Sequence, residues 1–410
     1  MTTETFDYAK RLRADLPPAA VKYTGFPKYN FVGGHNDCGS VPVAELVKAS
    51  TAVLEREGHT LGTYGLNSGP QGYLPLREFL VKKLKQDAGI ACTTDDLLIT
   101  SGSLQGLDLV NALLIGPGDT AVIEQSNYGG TITRLKRLKA NIVSVPVDKD
   151  GMNPAALAKA LDDLNAKGIK PKYLYTIPTV HNPTATIMSE GRRREILALA
   201  TQHDIPIFED ECYADLTWSG TRPPSFRAIA GNTNRVIHIG SFSKNIAPAL
   251  RLGYLLASWP LMGNILGLKT DAGTGALEQM ILAEYANKHF DAHVKGLRKV
   301  LKRKCDVLIE ALEAEFGTAA EFDRPEGGIF LWVKLPDGVD TMKLFQAAGK
   351  EGVAINPGVE WATNQDYAKS RLRICYANPD EQNIRDGIAK LADICHREFG
   401  TPSRSRNVQR

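Results

Sequence analysis

The chain has 410 residues, of which 43% are hydrophobic and 23% are charged, and its formal net charge is +3. A chain of this length usually forms two domains, and this composition is typical of a globular protein. The small net charge argues against nucleic acid or an anionic membrane as the main partner. Residues 1–19 carry charges throughout, and no apolar run is long enough to span a bilayer. Neither a signal peptide nor a membrane segment is therefore predicted.

The cysteines form no CxxC pair, and no histidine cluster has the spacing of a metal site. This scatter favours reduced thiols in the cytoplasm over disulfides or a structural zinc. We therefore expect a cytoplasmic protein without a bound metal. The six cysteines are Cys38, Cys92, Cys212, Cys305, Cys375 and Cys395.

Short β-rich runs alternate with amphipathic helical runs between residues 95 and 257. The alternation predicts an α/β domain with three α/β/α layers, in which helices cover both faces of a mostly parallel sheet. The predicted strands are 96–99, 120–124, 142–147, 172–178, 205–210, 236–241 and 253–258, and the predicted helices are 103–114, 131–139, 154–166 and 190–203.

The pattern changes after Leu277, where a helical region continues to about Phe316. Two predicted strands, 327–335 and 371–376, and a last helix, 380–399, indicate a smaller α+β domain. Basic residues cluster at 298–304, but acidic residues follow on the same helix. A solvated helix face is therefore predicted there rather than a nucleic-acid site. The polar segment 401–410 is predicted to be a disordered tail.

Lys244 lies just beyond the apolar run 236–240, with Ser241 and Ser243 before it and Arg251 seven residues after it. A lysine amine can form a Schiff base with an aldehyde, and hydroxyl and guanidinium groups can bind a phosphate. The segment therefore suits a cofactor that carries both an aldehyde and a phosphate. A solvated lysine at a strand end is the alternative for this segment alone.

Two other predicted strands are followed by small or polar residues, at the edge where open α/β sheets bind ligands. Gly102 and Ser103 open the helix after strand 96–99, and free N–H groups at a helix start favour a phosphate. A plain serine N-cap is the alternative. Asn182 follows strand 172–178 and offers its amide to a phenolic oxygen, although a simple turn would also explain it.

Asp210 ends the predicted strand 205–210, and Tyr213 follows three residues later. A carboxylate here can pair with a protonated ring nitrogen and keep the ring an electron sink, and Tyr213 could donate to a ring oxygen. A carboxylate that caps a helix is the alternative. Glu209 and Glu211 compete for the role, and the spacing to Tyr213 favours Asp210.

Tyr128 and Arg373 complete the candidate set. Tyr128 lies just past the predicted strand 120–124 and could stack on a planar ring, unless it is an ordinary core or surface tyrosine. Arg373 shares a strand face with Cys375 and could bind a substrate carboxylate through two parallel hydrogen bonds. A surface ion pair is the alternative, and Arg371 competes for the role.

In combination these segments resemble the class I/II aminotransferases, which are fold type I pyridoxal-phosphate enzymes of the aspartate aminotransferase superfamily. The branch with aminoadipate and kynurenine aminotransferases is the most similar. The similarity extends from about Asn30 to Phe399 and rests on Ser-x-Ser-Lys-x6-Arg, ending at Arg251, with Asn-Pro and Asp-x-x-Tyr upstream. Further matches are Gly33 with Gly34, Leu76 with Arg77, the segment 325–332, and Pro357 with Gly358.

The resemblance implies pyridoxal 5'-phosphate as the cofactor. It also implies a ping-pong transfer of an amino group from an L-amino acid to a 2-oxo acid through a Lys244 Schiff base. Lys244 would also move the proton, Asp210 would pair with the pyridine nitrogen, and Tyr128 would stack on the ring. The phosphate would be bound by Gly102, Ser103, Leu104, Ser241 and Arg251, with Ser243 close by.

The same resemblance assigns the remaining candidates. Asn182 and Tyr213 would hold the ring oxygen, and Arg373 would bind the substrate α-carboxylate together with Asn182 and the backbone at Gly34. Tyr64 would reach the cofactor phosphate of the neighbouring subunit, which implies a homodimer. Residues 1–50 would form an N-terminal arm and part of the small domain, 51–290 the large cofactor-binding domain, and 291–400 the C-terminal small domain. The two chain ends would thus build the smaller domain.

The chain departs from the family pattern at three places. It has His35-Asn36-Asp37 where Gly-x-Pro is common, and its segment 66–71 is longer than usual. Leu104 replaces a common polar residue, so only its backbone N–H could bind phosphate. The first two departures fall where the family shapes its substrate pocket, which leaves the substrate side chain open.

Two other functions compete with transamination. The same cofactor and fold also support a β-lyase, a decarboxylase or a cyclising synthase. Arg373 and the nearly complete set of ring contacts favour the transaminase. The second competitor is a ligand-sensing module of this fold, which is usually fused to a helix-turn-helix domain, and the segment before Gly33 is shorter than such a domain.

Overall fold

The computed structural model describes residues 5–403, so residues 404–410 of the predicted tail lie outside the described part of the chain. The strands are β1 (Tyr29–Asn30), β2 (Leu97–Thr100), β3 (Thr120–Glu124), β4 (Asn141–Val145), β5 (Val147–Asp148), β6 (Gly151–Met152), β7 (Leu174–Thr176), β8 (Ile207–Asp210), β9 (Val236–Ser241), β10 (Gly253–Leu256), β11 (Phe330–Lys334), β12 (Val353–Ala354), β13 (Asn356–Pro357) and β14 (Arg371–Cys375). The helices are α1 (Val43–Glu57), α2 (Leu74–Ala88), α3 (Ser103–Leu114), α4 (Gly129–Arg137), α5 (Pro154–Ala166), α6 (Glu190–Gln202), α7 (Phe226–Ala230), α8 (Leu261–Leu268), α9 (Ala276–Phe316), α10 (Thr341–Lys350), α11 (Gln365–Ala368) and α12 (Glu381–Phe399).

A seven-stranded sheet forms the centre of the larger half, in the order β2-β10-β9-β8-β7-β3-β4. Strand β10 runs antiparallel to both of its neighbours, while the pairs from β9 to β4 are parallel. The residues of β2, β3, β7, β8, β9 and β10 are all buried, as expected for strands covered on both faces. The predicted α/β class with a mostly parallel sheet is confirmed.

Helices cover both faces of this sheet. On one face α3, α4 and α8 pack against Tyr175, Phe208 and Ile237. On the other face α5, α6 and α7 pack against Leu174, Ile207 and Val236, and α2 and α9 cover the β2 and β10 end. Because side chains alternate along a strand, neighbouring residues of β7 and β8 serve opposite layers.

A second core lies around the antiparallel sheet β11-β14-β13, which packs with α10 and α12. The N-terminal segment joins this core, because β1 pairs in parallel with β12 and Phe31 is fully buried. Helix α12 approaches the segment so closely that a Cβ at Gly387 would lie 2.7 Å from the Phe31 ring. A residue without a side chain is therefore required at that position.

Helix α9 has 41 residues and contributes to both cores. Met280 and Phe290 pack in the core of the larger half, whereas Leu301 and Leu308 pack in the second core. A domain boundary at residue 290 would therefore fall inside a continuous helix, and the proposed division of the chain stays a prediction.

The predicted element ends differ from the observed ones where side chains take over backbone hydrogen bonds. Helices 103–114 and 154–166 coincide with α3 and α5. The observed strand β7 is shorter than the predicted strand 172–178 and ends at Thr176. It ends there because the N–H of Ile177 donates to the Glu124 carboxylate rather than to a neighbouring strand. Across residues 5–403 no helix has the length and apolar character needed to cross a membrane. The same residues contain no cluster of acidic, histidine and cysteine side chains suited to a metal ion.

Candidate active site

A cavity of about 580 Å³ lies at the carboxyl ends of the parallel strands, between the central sheet and the second core. Of the residues predicted from sequence, all but Gly102 and Tyr64 line it. These lining residues are Gly34, Ser103, Leu104, Tyr128, Asn182, Asp210, Tyr213, Ser241, Ser243, Lys244, Arg251 and Arg373. The fold thus brings together segments that are far apart in the chain.

Lys244 follows β9 and extends its amine into the cavity. Its Nζ donates a hydrogen bond of 2.6 Å to the backbone oxygen of Gly34, and a Cβ at Gly34 would lie 2.5 Å from that nitrogen. Burial lowers the pKa of Lys244, and the positive charges of Arg373 and Arg251 act in the same direction. A lowered pKa makes the neutral, nucleophilic amine more available.

Of the three consecutive acids at the end of β8, only Asp210 lines the cavity. Glu209 points to the opposite face of the sheet, where its carboxylate lies 2.9 Å from Nδ1 of His238. Glu211 accepts a hydrogen bond of 3.1 Å from Nη1 of Arg193. The alternation of the strand therefore places Asp210, the acid that the spacing to Tyr213 favoured, on the cavity side.

Asp210 is held by two donors. The Tyr175 hydroxyl donates to Oδ2 at 2.7 Å, and the backbone N–H of Cys212 donates to Oδ1 at 3.1 Å. Burial raises the pKa of Asp210, while hydrogen bonds from the Cys212 side chain, from Tyr175 and from the Cys212 backbone oppose the rise because they favour the charged form. The site therefore holds a buried carboxylate whose charge depends on its donors.

Arg373 is 2% exposed, and three acceptors hold its guanidinium group. Nη1 donates to Asn182 Oδ1 at 3.1 Å, and Nη2 donates to the Gly33 oxygen at 2.6 Å and to Asn356 Oδ1 at 2.9 Å. The amide nitrogen of Asn182 in turn donates to the Tyr213 hydroxyl at 3.1 Å. The Nε of Arg373 is buried without a hydrogen-bond partner in the described chain, so a donor remains for an anionic ligand.

An aromatic pair forms the wall beside Arg373. The Arg373 guanidinium lies 3.6 Å from the ring centre of Trp361, a cation–π arrangement. The Trp361 ring also lies 5.9 Å from the Tyr128 ring at an interplanar angle of 49°. The competing arginine, Arg371, instead covers the ring of Tyr367 at 3.8 Å and does not line the cavity.

At the other end of the cavity, Gly102 and Arg251 are in close contact. Gly102 has φ 75° and ψ 167°, a conformation that is essentially restricted to glycine. A Cβ at Gly102 would lie 2.5 Å from Nη2 of Arg251. The guanidinium is anchored by hydrogen bonds to the backbone oxygens of Pro248, at 3.1 Å, and Ser101, at 3.4 Å.

Helix α3 starts beside this arginine. Ser103 and Leu104 are its first residues, and the leading N–H groups of a helix have no partner within the helix. Ser241 and Ser243 are buried on the adjoining wall, where Ser241 Oγ accepts the N–H of Ser243 at 3.1 Å. Free N–H groups, hydroxyls and a guanidinium make this end suitable for a phosphate dianion.

Tyr64 does not line this cavity. It begins the short 3-10 helix Tyr64–Asn67, and its side chain is 90% exposed. Its predicted role concerns a neighbouring subunit and stays a prediction.

The residues fit pyridoxal phosphate in their chemistry. The cavity is lined by an amine for the aldehyde, Lys244, by an anion-binding end, and by Asp210, whose carboxylate suits a protonated ring nitrogen. The unpartnered Nε of Arg373 leaves a donor for a substrate carboxylate. The cavity is therefore equipped for the cofactor and for an acid that reacts with it.

Comparison with known proteins agrees with this chemistry. Residues 33–391 match the family model described as "Aminotransferase class I and II". The chain belongs to the class I and II aminotransferases. It is a pyridoxal-phosphate-dependent transaminase that moves an amino group from an amino acid to a 2-oxo acid, as the sequence predicted.

Relatives of this aminotransferase carry several substrate names. An aromatic-amino-acid aminotransferase 1 of Thermococcus litoralis is 32% identical over 90% of this chain and 88% of its own length. A 2-aminoadipate transaminase of Thermus thermophilus is 29% identical over 93% of this chain and 94% of its own. The crystal structure of Pyrococcus horikoshii kynurenine aminotransferase has a TM-score of 0.84 and 32% identity, and the match covers 90% of this chain and 91% of that one. The predicted branch of the family is confirmed.

Sequence reasoning missed three residues of this aminotransferase site. Trp361 and Asn356 contact Arg373. They flank Pro357 and Gly358, which the sequence marked only as a family match, and nothing in the local sequence indicates those contacts. Tyr175 could have been found, because it lies two positions after Tyr173 on one strand face and its partner strand ends in Asp210. The needed information was the register of β7 with β8.

Proposed function

We propose that Lys244 binds the cofactor covalently and that its Nζ later takes and returns the proton of the substrate α-carbon. Bound pyridoxal phosphate supplies an electron sink that stabilises negative charge at that carbon. The observation that carries the proposal is the Lys244 amine itself. It lines the cavity, is half-buried and has a lowered pKa, and within residues 5–403 its one hydrogen bond goes to the Gly34 carbonyl, which it can leave without losing an ion pair.

The ring of the cofactor would be held on three sides. Asp210 keeps a negative charge next to the ring nitrogen, and Tyr128 stacks on the ring face. Asn182 and Tyr213, already hydrogen-bonded to each other, present an amide and a hydroxyl to the ring oxygen. Fixing the ring in this way orients the substrate bond that breaks.

The phosphate would bind at the start of α3. Backbone N–H groups and hydroxyls supply neutral donors, and Arg251 supplies the positive charge. The contributing residues are Gly102, Ser103, Leu104, Ser241, Ser243 and Arg251.

Arg373 would bind the α-carboxylate of both the amino acid and the 2-oxo acid, with Asn182 and the Gly34 backbone beside it. One arginine is enough because both half reactions use the same cavity. Its three acceptors and the Trp361 ring fix the guanidinium before substrate arrives, so little conformational entropy is lost on binding.

We propose that the amino-acid substrate is one of those after which the relatives are named. Aromatic amino acids, kynurenine and 2-aminoadipate are the donors to compare, with 2-oxoglutarate as the acceptor. The aromatic Trp361 wall favours the first two, because flat apolar side chains gain from contact with an indole.

We further propose a cytoplasmic homodimer in which Tyr64 reaches the cofactor phosphate of the partner subunit. The ring of Tyr64 is 90% exposed and is therefore accessible to a neighbouring subunit, which supports this. The domain division at residues 50 and 290 belongs to the same proposal. Sedimentation of the wild type and of Tyr64→Phe, with cofactor affinity measured for both, tests it.

Borohydride reduction tests the assignment of Lys244 directly. Reduction of the loaded enzyme followed by peptide mass spectrometry should find the cofactor attached at Lys244. Lys269, which lies outside the cavity, serves as an internal control and should stay unmodified. Attachment at any other lysine would overturn the proposal.

A further inference from the structure

Tyr175 occupies a position that none of the proposed roles uses. It lies in β7, one strand away from Asp210, and is fully buried. In the register of the two strands Tyr175 pairs with Phe208, so Tyr175, Phe208 and Asp210 share one face of the sheet. The geometry places the phenol beside the carboxylate that ends the neighbouring strand.

The contact between these two groups is short and isolated from solvent. The Tyr175 hydroxyl donates to Asp210 Oδ2 at 2.7 Å, and Asp210 is 5% exposed. The N–H of Cys212 occupies the other oxygen at 3.1 Å. These two hydrogen bonds fix the orientation of the carboxylate, and the Cys212 side chain is a further hydrogen-bond partner of Asp210.

The charge of Asp210 depends on these donors. Burial disfavours the carboxylate form, and no arginine or lysine forms an ion pair with Asp210 among residues 5–403. The Cys212 and Tyr175 hydrogen bonds oppose the effect of burial, and His238 acts more weakly in the same direction. Removal of one donor from a buried carboxylate shifts the balance toward its neutral, protonated form.

We propose that Tyr175 is a positioning residue that keeps Asp210 ionised and oriented, so that the proton shared with the cofactor ring nitrogen stays on the ring. The inference rests on the proposed role of Asp210. Without the phenol, the proton moves to the carboxylate, and the ring becomes a weaker electron sink. Tyr175 then acts on catalysis although it need not touch the substrate.

The chain supplies a matched control in Tyr173. This residue lies two positions earlier on the same face, is 1% exposed, and donates its hydroxyl to Asn111 Oδ1 at 2.6 Å. Tyr173→Phe and Tyr175→Phe each remove one buried hydroxyl and one hydrogen bond. Only Tyr175→Phe changes a group that faces the cofactor.

The test measures the proton directly with cofactor labelled with 15N at the ring nitrogen. In the wild type and in Tyr173→Phe, the 15N resonance should be that of a protonated pyridine. In Tyr175→Phe it should move toward the neutral pyridine value, and kcat should fall about tenfold or more. In an Asp210→Asn background, Tyr175→Phe should change neither quantity further.

The outcomes separate this inference from the proposed function. If Tyr175→Phe leaves the 15N resonance where Tyr173→Phe leaves it, the inference is overturned while the transaminase stands. If the wild type itself has a neutral ring nitrogen, the role of Asp210 fails, and the inference with it. If Tyr175→Phe does not fold, 4-aminophenylalanine at position 175 is the substitute, because it keeps the size of the tyrosine ring and a weaker hydrogen-bond donor. In that variant the 15N resonance must move part of the way toward the neutral pyridine value. An unmoved resonance in that variant would equally refute the inference.

Discussion

The contact between Gly102 and Arg251 yields the sharpest quantitative prediction. In Gly102→Ala the new Cβ would lie 2.5 Å from Arg251 Nη2, so the guanidinium must leave its place beside the start of α3. A hydrogen bond to a charged group is worth about 1.5–3 kcal/mol, so the Kd for pyridoxal phosphate should rise roughly ten- to a hundredfold. The glycine-specific φ of 75° adds a separate strain of about 1–3 kcal/mol to the folded protein.

Two measurements separate the two effects. Fluorescence titration of the apoprotein with pyridoxal phosphate gives the Kd, and urea unfolding of the apoprotein gives the stability. Gly118→Ala is the control, because Gly118 also has a positive φ of 85° but has no atom within 4 Å of its Cβ position. It precedes β3, at the amino end of that strand, and does not line the cavity. Gly118→Ala should lower stability and leave the Kd unchanged. A Gly102→Ala protein that binds the cofactor as tightly as Gly118→Ala would refute the assignment of the phosphate end.

The other predictions concern Arg373, Trp361 and Lys244. Arg373→Lys loses the planar guanidinium that three acceptors hold, so KM for both the amino acid and the 2-oxo acid should rise roughly ten- to a hundredfold in steady-state assays, while Arg371→Lys should change neither. Trp361→Leu removes a cation–π contact worth about 0.5–2 kcal/mol, so KM should rise about two- to thirtyfold with a smaller change in kcat. An unchanged KM would contradict the role of Trp361 in holding Arg373 for the substrate. Burial lowers the pKa of Lys244 in the folded apoprotein below its ordinary value of 10.5. At a pH between the folded and the unfolded pKa, the unfolded chain binds more protons, so this lysine makes the stability of the apoprotein rise with pH. Lys244→Met should therefore stabilise the apoprotein at about pH 7 and do so less at about pH 10, and a gain independent of pH in urea unfolding would contradict the lowered pKa.

The predicted residues that the structure brings into one cavity include those marked by their position at the end of a single strand. Lys244, Asp210 and Asn182 each follow an apolar run, and parallel strands bring their carboxyl ends to one edge. The choice of Asp210 over Glu209 needed only the alternation of β8, which sends Glu209 to His238 on the other face.

What the sequence could not predict depends on contacts across the fold. Arg373 and Trp361 meet because the segment 358–363 crosses to the loop before α4, where the N–H of Asn127 bonds to the Trp361 oxygen at 2.8 Å. No local pattern encodes that crossing. Tyr175 likewise contacts Asp210 only through the register of β7 and β8, which periodicity within one strand does not set.

A single half reaction shows whether this enzyme transfers an amino group through Lys244. The cofactor-loaded enzyme is mixed with one amino acid at a time, without any 2-oxo acid, and the cofactor spectrum and products are followed. We expect one 2-oxo acid to be released per loaded site, with the amino group retained on the cofactor, and no such release by Lys244→Ala. Release of carbon dioxide or ammonia, or an equal half reaction in Lys244→Ala, would contradict it.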